Sequence, residues 1–382
     1  MGLKAVIPIF PLTEFCKIFV LLVENRIIMV YNGGRLRVKL FSVPTCAYNL
    51  LEVIPMSMFD KLIANLKQTR RTLVFTEGTD ARILNAADRL IKDDLMDLVL
   101  CGEPNAVKAA AKEGGYNIDA ATIIDANNYE RMDEMVEKMV ELRKGKMTRE
   151  QCAANLKKPN YFGTMLVKLG VGDALLGGAT YSTADTVRPA LQLIKCKPGN
   201  KNVSSSFILD RFNADGTETR LCMGDCAIQI DPDEDALVET AYECSKTAKF
   251  FGIDPKIAML SYSTKGSGKG DSVTKVANAT AKLKALYPDM AVDGEMQFDA
   301  AYSPEVGQRK FPGSKVAGYA NTFIFPEINA GNIGYKIAQR LGGFAAYGPI
   351  LQGLNAPIND LSRGCVADEV YWMAIITAGM AE

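Results

Sequence analysis

The stretch TLVFTEGTDARILNAADRLIKDDLMDLVLCGEPNAVKAAAK, residues 72–112, decides the architecture. Thr72–Thr76 is a short β-branched and apolar run that reads as a strand, and Asp80–Asp94 reads as a helix. Leu98–Cys101 repeats the strand signal and Ala106–Lys112 the helix signal. Strands alternating with helices are the signature of a doubly wound α/β domain.

The pattern continues on both sides. An amphipathic helix is predicted at Tyr129–Lys144, followed by a glycine-laced strand at Gly172–Ala179. That strand empties into Thr180-Tyr181-Ser182-Thr183-Ala184-Asp185, a helix cap with Arg188 in the turns behind it. Lys197-Pro198-Gly199-Asn200-Lys201 is a turn-rich joint. Beyond it, Ser206–Leu209, Cys226–Ile230 and Lys256–Ser263 read as strands. Asp231-Pro232-Asp233-Glu234 starts a helix with a cap residue and Pro at the first position. Asn332–Leu341 is a helix stopped by Gly342-Gly343, and a final helix runs from about Val366 to Met380. A chain of 382 residues exceeds the roughly 100–200 of one domain, so two are expected. The joint divides them into 56–198 plus 350–382 and 199–349.

Residues 1–55 read differently. Phe15–Tyr31 is apolar, but Lys17, Glu24 and Arg26 interrupt it before the roughly 20 clean residues a bilayer span requires. No cleavable signal peptide is visible. The amphipathic opening Phe59–Leu66 suggests that translation begins at Met56 or Met58 and leaves 1–55 as an extension that need not be translated; the alternative is an extra strand or hairpin.

Composition narrows the chemistry. Forty-four basic residues balance 44 acidic ones, which argues against a nucleic-acid binder, and no membrane contact is expected. Histidine is absent, which removes Ser-His-Asp and Cys-His nucleophilic schemes and His-based metal sites. Nine scattered cysteines, an odd number, fit reduced thiols and a cytoplasmic location. Cys222 and Cys226 are the one close pair and cannot complete a zinc site alone, so no metal is expected.

Three strand-to-helix junctions are unusually polar, and such junctions collect anions. In Ser261-Tyr262-Ser263-Thr264-Lys265-Gly266-Ser267-Gly268-Lys269-Gly270, glycines admit backbone amides to a phosphate while hydroxyls and Lys265 add donors and charge. Tyr181–Arg188 is the second junction. Tyr347-Gly348-Pro349, then Asn359-Asp360-Leu361-Ser362-Arg363-Gly364, is the third.

Together these motifs, with Ser182-Thr183-Ala184-Asp185-Thr186-Val187-Arg188-Pro189-Ala190, resemble the phosphate acetyltransferase family, from about residue 56 to the end. The resemblance implies two doubly wound α/β/α domains of the isocitrate-dehydrogenase-like kind, with the active site in the cleft between them. It implies reversible acetyl transfer between acetyl phosphate and coenzyme A, a co-substrate with no permanently bound cofactor, a homodimer, and functional coupling to acetate kinase. Ser362 would stabilise the oxyanion and Arg363 the phosphate. Ser261, Ser263, Thr264, Lys265, Gly266 and Ser267 would hold the phosphoryl group. Arg143, Ser182, Thr183, Arg188, Tyr347 and Gly348 would face coenzyme A. The family has an aspartate base seven residues after the serine; here that position is Glu369, with Asp368 before it. Position favours Glu369, and the shorter reach of an aspartate leaves Asp368 open. A phosphate butyryltransferase is the nearest alternative, and an isocitrate-dehydrogenase-like oxidoreductase a remoter one.

Overall fold

The computed structural model describes residues 6–12, 16–23, 26–32, 37–42 and 58–381. The N-terminal strands β1 (Val6–Leu12), β2 (Cys16–Val23), β3 (Arg26–Asn32) and β4 (Arg37–Ser42) form an antiparallel meander in that order. The interrupted apolar run thus contains a hairpin, β2–β3, with Val23 opposite Arg26. No described helix is long and apolar enough to cross a membrane. The proposed start at Met56 falls outside the described residues.

From residue 58 the chain is a separate compact unit containing two sheets. The first part runs α1 (Met58–Gln68), β5 (Thr72–Phe75), α2 (Ala81–Lys92), β6 (Asp97–Cys101), α3 (Pro104–Gly114), β7 (Thr122–Ile124), α4 (Met132–Arg143), α5 (Arg149–Leu156), α6 (Pro159–Lys168), β8 (Ala174–Gly177) and α7 (Thr183–Pro189). A π-helical turn, Ala190–Ile194, follows. The second part runs β9 (Ser204–Phe212), β10 (Glu218–Gly224), α8 (Glu234–Phe250), β11 (Ile257–Leu260), α9 (Asp271–Leu286), β12 (Val292–Met296), α10 (Phe298–Tyr302), α11 (Pro304–Lys310), β13 (Thr322–Ile324), α12 (Ile328–Gly342) and β14 (Ala345–Gln352). The chain then returns through β15 (Ile358–Asp360) to α13 (Ala367–Gly379).

The first sheet, ordered β15-β8-β5-β6-β7, is entirely parallel. Its strands are covered on both faces, which is why they read as continuous apolar runs. Leu73 and Phe75 join one core with Ile83, Leu84, Leu90 and Met373, while Val74 joins another with Met139, Phe162 and Met165. The order reverses between β5 and β8: β6 and β7 build outward one way, β15 the other. Ligands gather beyond the carboxyl ends at such a switch point.

The second sheet is ordered β12-β11-β13-β10-β9-β14, with its first four strands parallel and β9 antiparallel to both neighbours. The core holding Leu73 and Val370 continues into it through Ile350, Ile208 and Met259. Phe59 of α1, packed on Trp372 of α13 at 4.1 Å and edge-on against Tyr347 of β14 at 5.0 Å, helps bind the two parts.

Some expected elements move. The segment 226–230 is not a strand: β10 ends at Gly224 and the chain folds round Asp225, whose carboxylate accepts from the N–H groups of Ser205, Ala227 and Ile228 at 2.8, 2.7 and 2.9 Å. The cap of α8 is Asp233, accepting from Ala236 at 2.8 Å, so the helix starts later than the Asp231-Pro232 signal suggests. Strand β14 passes position 350 unbroken to Gln352, pairing with Ser204.

Candidate functional site

At the carboxyl end of β15, Asp360 is buried and accepts hydrogen bonds from Thr183 Oγ1 at 2.6 Å and from Thr186 Oγ1. Burial pushes its carboxyl up to about 6, against the two threonine hydroxyls. The Leu361 N–H donates to the Gly177 carbonyl at 2.7 Å. Gly178, at φ +102°, has no room for a side chain: a Cβ would lie 2.2 Å from Asp360 Oδ1. The chain is thereby held against β8 before it emerges as Ser362, Arg363 and Gly364, all exposed. Ser362 Oγ accepts from the Gly364 N–H at 3.3 Å, and the Arg363 guanidinium has no ion pair or hydrogen bond among the described residues.

Beneath this turn lies Arg82, a residue the sequence did not single out. Its guanidinium donates to the carbonyls of Arg363 (2.8 Å), Cys365 (3.2 Å) and Ala179 (2.8 Å), and to both oxygens of Asp80.

The two acidic candidates on α13 diverge, as successive helical residues must. Asp368 pairs with Arg89 of α2 at 2.5 Å, and that guanidinium lies 4.1 Å over the Tyr371 ring. Glu369 is half-buried and accepts from the Val366 N–H at 3.2 Å, supplying half of a capping box where Val366 has no acceptor side chain of its own. Its charge reaches Tyr335 on α12 and Cys365, whose hydroxyl and thiol are pushed up to about 12 and about 11, chiefly by burial.

Of the coenzyme candidates, Arg143 and Arg188 both lie within electrostatic reach of Tyr161, whose hydroxyl donates to Gln192 at 3.0 Å. Arg143 Nε is buried without a partner, and Arg188 is exposed with only a loose 3.7 Å contact to Asp185. Ser182 and Thr183 are engaged internally, Ser182 Oγ donating to Asp185 at 2.7 Å and Thr183 to Asp360. A cavity of about 460 Å³ at the carboxyl ends of β5 and β6 is lined by Thr76, Glu77, Gly78, Gly102, Phe162 and Thr180 among others. Glu77 accepts from Thr76 Oγ1, the Gly178 N–H and the Thr180 N–H at 2.8, 3.2 and 2.9 Å. Burial nevertheless raises its carboxyl above the usual range.

The 261–270 loop follows β11 in the other sheet. Its inner donors are already satisfied: Ser263 Oγ and the Gly266 N–H both donate to Glu295 of β12, at 2.9 and 2.7 Å. Thr264 N–H donates to Ser267 Oγ at 2.9 Å, and Gly268 N–H to Ser263 Oγ at 2.8 Å. Lys265, at φ +50°, carries its ammonium 5.1 Å from the Phe311 ring centroid. Ser261 Oγ accepts from the Ser263 N–H at 3.2 Å. Tyr347 packs edge-on against Phe59 at 5.0 Å, and burial raises its hydroxyl to about 12. Gly348, followed by a cis Pro349, sits against Phe207 and Ser206, where a Cβ would meet the Phe207 ring at 2.6 Å.

The structure thus brings Ser362, Arg363, Glu369 and Thr183 to one edge and puts Tyr347 in an aromatic cluster with Phe59. Arg82, Glu77 and Glu295, which hold these loops by hydrogen bonds, are the residues sequence reasoning missed. The Asp80-x-Arg82 spacing at a helix start was the available signal for the first.

Residues 57–378 match the family model described as Phosphate acetyl/butaryl transferase. A phosphate acetyltransferase from Bacillus subtilis is 51% identical over 309 residues, covering 81% of this chain and 94% of the relative. A phosphotransacetylase structure from Streptococcus pyogenes superposes with a TM-score of 0.81 at 51% identity, over 85% of this chain and 98% of that one. Another from Staphylococcus aureus gives 0.76 at 45%, over 85% and 99%. With the match spanning everything from α1 to α13, the chain belongs to the phosphate acetyl/butyryl transferase family.

Proposed function

We propose that the protein transfers an acetyl group reversibly between acetyl phosphate and coenzyme A, the activity its half-identical relatives are named for. The observation that carries the reading is the Arg363 guanidinium, exposed and unpaired beside Ser362 at the carboxyl end of β15. The coenzyme A thiol attacks the acyl carbon and its proton passes to Glu369, the carboxylate that no basic side chain holds; Asp368 is taken by Arg89. Ser362 donates to the developing oxyanion. Arg363 receives the phosphate as the C–O bond breaks, its planar fork matching two oxygens. Such preorganised donors typically lower a barrier by about 3 kcal/mol each.

In the phosphate loop, the hydroxyl protons of Ser261 and Ser267 and the Lys265 ammonium are the donors left for substrate, while Ser263, Thr264 and Gly266 shape the loop through Glu295 and Gln297. Arg143 and Arg188 take the coenzyme's phosphates, supported by the orphaned Arg143 Nε. The cavity beside Phe162, one residue from Tyr161, has room for the coenzyme's arm. The chain acts as a homodimer in a reducing compartment such as the cytoplasm, alongside an enzyme that makes or uses acetyl phosphate, as acetate kinase does. We assign the lobes to 56–198 plus the C-terminal return and to the segment between.

Thioester formation, followed by ultraviolet absorbance on mixing the protein with acetyl phosphate and coenzyme A, is the direct test. No turnover overturns the reading. A rate that rises from acetyl to butyryl phosphate would move the assignment to the longer acyl chain.

A further inference from the structure

We propose that Arg82 is a positioning residue for the transfer, holding the 362–365 turn in the shape that presents Ser362 and Arg363 to the departing phosphate. The proposal rests on the acetyl-transfer reading above.

An arginine side chain has five N–H donors in a rigid plane. All five of Arg82's are engaged by the protein: Nε with Asp80 Oδ1 at 3.0 Å, Nη2 with Asp80 Oδ2 and the Ala179 carbonyl at 2.8 Å each, and Nη1 with the carbonyls of Arg363 and Cys365 at 2.8 and 3.2 Å. No donor remains for a substrate, so its influence passes through what it holds. The carbonyls it grips are those of Arg363, which meets the reaction beside Ser362, and of Cys365, which closes the turn. Fixing those peptide planes fixes where the Ser362 and Arg363 side chains leave the backbone.

Its own placement is equally determined. Asp80 is the N-cap of α2, accepting from the Arg82 N–H at 2.9 Å while its carboxylate chelates the Arg82 side chain, and both side chains are largely shielded, at 27% and 14% exposure. The planar group thus links the segments leaving three strands: α2 after β5, Ala179 after β8, and the turn after β15. These strands flank the point where the sheet order reverses. Lysine cannot replace this arrangement, since its three donors radiate from a single atom and cannot span a carboxylate on one side and three carbonyls on the others.

The test is Arg82→Lys in the full chain, alone and combined with Arg363→Ala, with kcat, both KM values and the thermal midpoint measured. The expected result is a fall in kcat of about ten- to a hundredfold, the scale of an ångström-level displacement of a reacting group, with KM for coenzyme A changed by less than about threefold. In the Arg363→Ala background the same change costs less than about threefold more, because residues that act through one another are not additive. Asp80→Asn keeps a cap acceptor but loosens the chelate, and is expected to lower kcat in the same pattern. Wild-type kcat in Arg82→Lys, a loss borne by KM, or a full multiplicative loss beside Arg363→Ala overturns the proposal while the wild type's turnover leaves the reading standing. Failure of both single variants to fold also overturns it in favour of a purely architectural role. A wild type that forms no thioester overturns the reading and the proposal together.

Discussion

Glu369 and Asp368 are adjacent acids with opposite surroundings, and the difference predicts opposite outcomes on mutation. Among the described residues Glu369 has only the Val366 amide as a partner, whereas Asp368 is paired with a guanidinium that is itself stacked on Tyr371. Glu369→Gln should lower kcat by about 10²- to 10⁴-fold, the usual worth of a positioned general base. Asp368→Asn should leave kcat within a few-fold and cost less than about 1 kcal/mol of stability, since that side chain is 74% exposed and its ion pair is screened. Steady-state kinetics and melting of the two variants check this; the reverse ranking would make Asp368 the base. The sequence singled out both acids but left the choice between them open. The discriminating partner, Arg89, lies 279 positions away in the chain, and nothing local encodes that contact.

The tie between β15 and α7 depends on Asp360, and its titration has a definite sign. Its carboxyl is raised from an ordinary 3.8 to about 6 by burial. Between those values the native chain holds a proton that the unfolded chain has released, so stability falls as pH rises through this window and levels off above it. The shift corresponds to about 3 kcal/mol. Asp360→Asn should make this fall in stability between about pH 4 and 6 less steep, with the remaining slope of the same sign carried by the other carboxyls that burial raises, Glu77, Asp210 and Asp225. Urea unfolding across that range measures it, and an unchanged slope would sink the assignment. Elements of this kind show where sequence reading succeeds. The 72–112 alternation was legible because strands buried on both faces and helices buried on one carry different periods. The run at 226–230 misled because its apolar residues wrap the Asp225 carboxylate, while the true strand, Glu218–Gly224, carries the polar Glu218, Thr219 and Arg220 in its partly buried hairpin half. The polar 261–270 loop stands out in the sequence, yet much of its hydrogen-bonding capacity serves Glu295, which the loop's own composition cannot reveal.

At the scale of the whole molecule, helix α12 stands out among the described residues for an outer face that nothing covers. Fifteen residues long, it buries only Gly331, which seats against the Asp225 carbonyl, while Tyr335 stacks on Phe207 at 3.9 Å. Its other side presents Ile333, Ile337 and Leu341, spaced four apart and 57%, 53% and 84% exposed. A stripe of large aliphatic side chains at helical spacing is costly to leave in water, at about 25 cal/mol for each Å². A second copy of the same helix crossing it about a two-fold axis would bury each stripe against its equal, the self-complementary arrangement expected of a homodimer. Ile337 lies mid-stripe, so Ile337→Asp would place two charges at the centre of such a contact while leaving the folded monomer nearly undisturbed. Light scattering coupled to size exclusion should show a dimer for the wild type and a monomer for the variant at micromolar concentration, with melting of the two chains otherwise similar. A wild type that elutes as a monomer, or a variant that stays dimeric, would place the subunit contact elsewhere. Kinetics of the monomer would carry the point further: Ser362, Arg363, Arg82 and Glu369 all come from one chain, so turnover should persist if dimerisation only shields α12, whereas a collapse in kcat would mean that α12, through Tyr335 beside Glu369, needs its partner to hold the site.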